Sequence, residues 1–171
     1  MKEKVHTISV LLENKFGVLA RVAGLFCGRG YNIDSLTVSR TLDPEVSKMT
    51  IVTHGDDHVI EQIDKQLNKL IDVIKVTDLS SSDFLERELA LVKVKGETQE
   101  DRVALIQLSE RFAGKIVNVQ DNELCLEVSG ESSRIDDFIK LVRDYGIIEV
   151  ARTGRVAVSR SAGATEDYSD L

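Results

Sequence analysis

Twice along this chain the apolar pattern moves between a period of two and a period near 3.6, in the order strand, helix, strand, strand, helix, strand. This double passage constrains the fold most, because each pass is the signature of one compact βαββαβ unit. In the first pass Ile8, Val10 and Leu12 alternate on one face of a strand over residues 7–12. The turn Glu13-Asn14-Lys15-Phe16-Gly17 leads into Val18, Val22, Leu25 and Phe26 at helical spacing, and Gly28-Arg29-Gly30 ends that helix. Glycine there can adopt the left-handed conformation of a helix C-cap. Tyr31 to Ser39 and Lys48 to Thr53 read as the two middle strands, around a turn holding the lone proline, Pro44. Gly55-Asp56-Asp57 opens a second helix, where acidic groups suit the N-terminal dipole. Its stripe is Ile60, Ile63, Leu67, Leu70 and Ile71, and Val73 to Leu79 closes the unit.

The second pass begins after the polar joint Ser80-Ser81-Ser82-Asp83. Leu89 to Lys95 is a strand. Thr98 to Asp101 has the spacing of a capping box, a hydroxyl acceptor followed three residues later by an acid. Leu105, Leu108 and Phe112 line the helix, and Gly114 is expected to end it. Strands follow at Ile116 to Val119 and Leu124 to Val128. A second box, Ser133 to Asp136, is expected to start a helix striped by Ile135, Phe138, Ile139 and Val142. Gly146 stops it, and Ile147 to Val158 supplies strand again, broken near Gly154. The fold class expected is α+β: two ferredoxin-like units in tandem, over 1–80 and 81–159, with a period of roughly 80 residues. Residues 160–171, poor in large apolar side chains, are expected to form a disordered acidic tail.

Composition excludes several functions for such a pair. At 42% hydrophobic residues the chain can bury a core,. A net charge of −7 argues against nucleic acid, which needs clustered Lys and Arg,. RNA-binding modules of the same strand order stack bases on aromatic side chains of the middle strands. Here the third strand reads Lys48-Met49-Thr50-Ile51-Val52. Small metal chaperones of this order carry CxxC after the first strand, and this loop has no Cys. Acylphosphatases place an Arg there, and this loop has only Lys15. No stretch of 18 apolar residues spans a membrane, and the alternating N-terminus has no signal-peptide core. A cytoplasmic protein with Cys27 and Cys125 reduced is expected.

No constellation for catalysis emerges. His54 and His58 are four apart, but strand end and helix start fall between them, so they should diverge. Gly28-Arg29-Gly30 follows a helix and not a strand, so it is no dinucleotide loop. Asp56/Asp57 and Asp136/Asp137 sit where helix capping explains them. No nucleophile and base are brought together, and no metal ligand set is expected. One candidate remains, the first turn. Free N–H groups at a helix start favour a carboxylate. Gly17 permits close backbone approach. Asn14 can both donate and accept, which suits a zwitterion. Tyr31-Asn32-Ile33-Asp34 opens the next strand with mixed polarity. The same residues also read as an ordinary Asn-capped helix after a glycine turn, and spacing alone favours that plainer reading.

At larger scale, His6 to Val38, reading HTISVLLENKFGVLARVAGLFCGRGYNIDSLTV, resembles the ACT domain of the regulatory (small) subunits of acetolactate synthase. KMTIVTHGDD, IEQIDKQLNKLIDVIKVTDL, ERELALVKVK, GKIVNV and EVARTGRVAVSR continue the likeness, from about residue 5 to 160. The N-K-x-G-V-L turn is common to many ACT domains, while the ARTG segment is specific to these subunits. The resemblance implies a non-catalytic subunit that activates a separate catalytic subunit, the latter carrying thiamine diphosphate, a divalent metal such as Mg and FAD. It also implies feedback inhibition by valine or another branched-chain amino acid, and a homodimer with the effector between two chains. Carried onto this sequence, Asn14, Gly17, Val18 and Leu19 of one chain face Asn32 and Ile33 of the other. A rival expectation is an independent amino-acid-sensing module acting on another enzyme or on transcription.

Overall fold

The structure is a computed structural model and describes residues 4–160. The chain forms two compact units: residues 4–85 together with 155–160, and residues 86–154. All but the first residue of the expected acidic tail lies outside the described residues.

The first unit runs β1 (Lys4–Glu13), α1 (Val18–Arg29), β2 (Ser35–Arg40), β3 (Val46–Gly55), α2 (Asp57–Leu67) and β4 (Val73–Asp78). Its sheet has the order β2-β3-β1-β4, antiparallel throughout, which is the ferredoxin-like arrangement. Alternation decides which side each strand buries. Ile8, Val10 and Leu12 with Met49 and Ile51 meet Val18, Val22 and Phe26 of α1 and Ile60, Ile63 and Leu67 of α2. The intervening residues Thr7, Ser9, Leu11, Thr50 and Val52 are buried as well. A 3-10 turn at Leu79–Ser81 lies beside β1, and Thr7 N–H donates to Ser80 Oγ at 2.7 Å. The first two residues of the expected polar joint are therefore in a 3-10 turn, which opens on the buried Leu79.

The second unit repeats the order with β5 (Phe84–Lys95), whose first two residues belong to the first unit, then α3 (Gln99–Arg111), β6 (Lys115–Gln120), β7 (Glu123–Gly130), α4 (Ser132–Val142) and β8 (Ile147–Arg152). Its strands are ordered β6-β7-β5-β8. Ala90, Val92 and Val94 with Leu124, Leu126 and Val128 pack on Leu105, Ile135, Phe138 and Val142.

Four expectations are corrected. The last strand of the second pass divides at Gly154 as expected, where φ is +79°, but the two parts do not stay in one unit. Its distal part, β9 (Val156–Ser159), returns to the first unit, so the second unit ends at 154 and not at 159. Arg155 N–H donates to Ser35 Oγ at 3.2 Å, and Ala157 is buried. Ser133 does not cap α4: the helix begins at Ser132 after Glu131, without a side-chain cap. The Ser132 hydroxyl instead donates to Glu88 at 2.7 Å. α3 does not run on to Gly114: it ends at Arg111 with Phe112 as its C-cap, and the left-handed residue after it is Ala113, at φ +56°. Gly114 is set by packing, since a Cβ there would lie 2.7 Å from the Glu127 carbonyl oxygen. Finally, Tyr31 to Asp34 is loop, and β2 starts only at Ser35.

Candidate functional site

The turn between β1 and α1 is built so that the helix start stays open. Gly17 occupies the N-cap at φ +82°, ψ −6°, a left-handed conformation that L side chains resist,. No side chain caps α1, and its first turn holds no acid. Four N–H groups at a helix start need partners from outside the helix. Val18 N–H reaches only the Lys15 carbonyl, at 3.4 Å. A Cβ built on Gly17 would meet nothing within 4 Å, so the glycine is required by its backbone and not by crowding.

Asn14 does not cap the helix. Its Nδ2 donates to the Pro44 carbonyl at 2.8 Å and its N–H to the Glu45 carbonyl at 2.7 Å. Those bonds pin the turn to the loop between β2 and β3. Beside it lies a shallow pocket of about 280 Å³ lined by Asn14, Lys15, Val18, Leu19, Val38 and Arg40, among others. Val18 is buried, while Leu19 is 43% exposed. Glu13 meets Lys15 at 2.8 Å, and its hydrogen bond and charge hold the Lys15 ammonium above its ordinary pKa. Asp72 pairs with Arg21 at 2.9 Å. The carboxylates nearest the helix start are thus already matched by cations.

Asn32 and Ile33 lie in the loop between α1 and β2, at the other end of the sheet. Ser35 is paired with Val52, and Val52 with Thr7, near the start of β1; Asn14 follows the end of β1. Six residues of strand separate the two ends, roughly 20 Å. One chain therefore does not bring Asn14 and Asn32 together. Gly30, left-handed at φ +71°, ends α1 and turns the chain into this loop. Thr53 Oγ1 donates to the Asn32 carbonyl at 2.6 Å, and Asp34 N–H to Val52 at 2.9 Å. Ile33 is half-buried against the core. A pocket of about 700 Å³ adjoins the loop, lined by Tyr31, Asn32, Asp34, His54, Asp56 and Val59, among others. Asn32 Nδ2 donates to Asp34 Oδ1 at 2.8 Å, and His54 Nδ1 meets Asp34 Oδ2. Spacing alone did not single out Asp34 and His54, because their approach depends on the register of β2 against β3. His54 and His58 stand on β3 and α2, as the spacing predicts. His6 is buried, with neither ring nitrogen hydrogen-bonded among the described residues.

Two family profiles match this chain. One, described as the AHAS small subunit-like ACT domain, covers residues 8–75, and one described as the small subunit of acetolactate synthase covers 87–161. The probable acetolactate synthase small subunit of Methanothermobacter thermautotrophicus is 50% identical over 95% of this chain and 96% of its own length. The chain belongs to the acetolactate synthase small-subunit family. The isozyme 3 small subunit of Escherichia coli is 47% identical over 90% of this chain and 94% of its own. The crystal structure of the Thermotoga maritima small subunit superposes with a TM-score of 0.84 at 42% identity, covering 94% of this chain and 99% of that one. Membership makes this a non-catalytic, regulatory subunit of acetolactate synthase, in branched-chain amino-acid biosynthesis. The first unit is its ACT domain. Among the described residues, no group of three or more His, Cys, Asp or Glu could hold a metal ion, and no helix is long and apolar enough to cross a membrane.

Proposed function

We propose that this subunit acts in the cytoplasm as a homodimer that binds valine, or another branched-chain amino acid, between two ACT domains. Asn14, Gly17, Val18 and Leu19 come from one protomer and Asn32 and Ile33 from its partner. The observation that carries this reading is the pair of half-sites at opposite ends of one sheet: a helix start left uncapped by Gly17, and a polar loop at Asn32 that its own chain cannot bring to it. Edge-to-edge pairing of two sheets supplies the missing half. β2 is an edge strand, and edge strands readily template pairing,. The Cβ positions of Gly24 and Gly28 on α1 are open, which lets a second helix approach closely.

The effector carboxylate takes N–H groups at the α1 start, each charged hydrogen bond contributing about 1.5–3 kcal/mol. The side-chain oxygens of Asn14 and Asn32 receive the ammonium, and Leu19 and Ile33 border the alkyl group. A ligand this small supports micromolar to millimolar affinity, about −8 to −4 kcal/mol. The subunit raises the activity of a catalytic subunit that carries thiamine diphosphate, a divalent metal and FAD. Effector binding opposes that activation by favouring a dimer geometry that couples less well, with a coupling of about 1–3 kcal/mol.

Gly17→Asp tests the site. It places a carboxylate where the effector's would lie, and Asp tolerates a left-handed backbone better than most residues. Reconstituted with the catalytic subunit, the variant is expected to lose valine inhibition while still activating. Intact inhibition by a folded variant contradicts the site.

A further inference from the structure

The pocket beside Asn32 contains a carboxylate to which the family resemblance gives no role. We propose that Asp34 recognises the effector's α-ammonium, and thereby selects an α-amino acid over the 2-oxo acid of the same carbon skeleton. The inference rests on the effector reading above and gives that site its polarity.

The two half-sites differ in charge. The pocket at the β1–α1 turn is bordered by a helix N-terminus, Lys15 and Arg40, and its Glu13 is engaged by Lys15. The pocket at Asn32 is bordered by Asp34, Asp56 and His54, with neither Lys nor Arg in its lining. An α-amino acid carries both charges on one carbon, so it complements a site whose two walls are of opposite sign. A 2-oxo acid complements only the first wall.

Of the two carboxylates in the acidic wall, Asp56 is committed. It caps α2, accepting from Val59 N–H at 2.9 Å. Asp34 is positioned but not consumed. Its backbone N–H is tied to Val52, its Oδ1 accepts from Asn32 and its Oδ2 faces His54. Its side chain nevertheless keeps 30% exposure beside the pocket. A carboxylate has about four acceptor sites, so two partners leave room for an ammonium. Because Nδ2 of Asn32 is directed at Asp34, the oxygen of that amide remains for the same ammonium. A wall arranged to receive an N–H donor penalises a ligand without one, since acceptors covered by that ligand then lose water and go unpaired.

The test compares valine with 3-methyl-2-oxobutanoate, its 2-oxo counterpart, by calorimetry on the full-length chain and by inhibition of the reconstituted holoenzyme. In Asp34→Asn, valine is expected to weaken at least tenfold and the 2-oxo acid by less than twofold. Asp56→Asn, which keeps the capping oxygen but removes the wall's second charge, is expected to weaken valine clearly less than Asp34→Asn does and to leave the 2-oxo acid within twofold. Parallel loss of both ligands in Asp34→Asn, loss of neither, or an equal effect from Asp56→Asn overturns the proposal. Gly17→Asp separates the two levels. If it abolishes valine binding while Asp34→Asn does not, the effector site stands and the role of Asp34 falls. If neither variant affects valine, the site falls and the role of Asp34 with it.

Discussion

The two units share strand order and core pattern, yet their first helices begin in opposite ways. α1 starts at a left-handed glycine with no side-chain cap and no acid in its first turn. α3 starts at Thr98, whose hydroxyl accepts from Asp101 N–H at 3.0 Å while the Asp101 carboxylate accepts from Thr98 N–H at 3.2 Å. Glu100 and Asp101 already place negative charge at that start. The glycines before the two helices differ as well. Gly17 is set by backbone conformation, with open space where its side chain would be. Gly96 is set by packing, since a Cβ there would lie 2.2 Å from a methyl of Leu124. One fold thus leaves a helix start open in one copy and closes it in the other,.

The second unit is closed elsewhere too, and its closure can be broken. Glu88 is 4% exposed at its side chain, accepts two bonds from Arg152 at 2.7 and 2.8 Å, and accepts from Ser132. Arg152, in the ARTG segment, also reaches Asp136 at 2.7 Å. Glu88 foremost, then Asp136, holds the guanidinium above its ordinary pKa. Arg152→Met leaves the buried carboxylate without its cation, a change that costs about 3–5 kcal/mol when the pair is fully buried. Because Arg152 is itself 35% exposed, about 2–3 kcal/mol is expected in urea unfolding, with valine binding by the first unit retained,.

A smaller effect bears on the helix starts directly. Thr98→Ala removes the box and is expected to cost about 1 kcal/mol, seen as a lower urea midpoint, without changing valine inhibition. A change in inhibition as large as that from Gly17→Asp would erase the contrast between the two helix starts. Smallest is the helix end. Gly30 provides the left-handed residue after α1, whereas Ala113 provides it after α3. Ala113→Gly is expected to stabilise the second unit by about 0.5–1 kcal/mol, read as a higher thermal midpoint, because it relieves the Cβ penalty.

Much of this was legible in the sequence, because alternation and helical stripes report burial directly. Ile8-Val10-Leu12 and Ile60-Ile63-Leu67 lie on the faces their spacing predicts. The Thr98 box formed because its partners are local. The Ser133 box did not, since Ser132 is drawn into bonding with Glu88, 44 residues away. The break near Gly154 was legible, but nothing local in residues 156–159 reports the return of β9 to the first unit. At the candidate site, Asn14 and Gly17 were visible as a turn motif. The carbonyl that Asn14 binds, on Pro44, was not, nor was Asp34 against His54, because both depend on strand register.

The central claim is that the effector binds at the open helix start of the first unit and not at its closed counterpart in the second. Backbone amide chemical shifts of the isotopically labelled chain, followed through a valine titration, test it most directly. Saturable shifts are expected at residues 14–19 and 31–34, with none at 96–101. Shifts confined to the second unit, or absent from 14–19 at saturating valine, would contradict it.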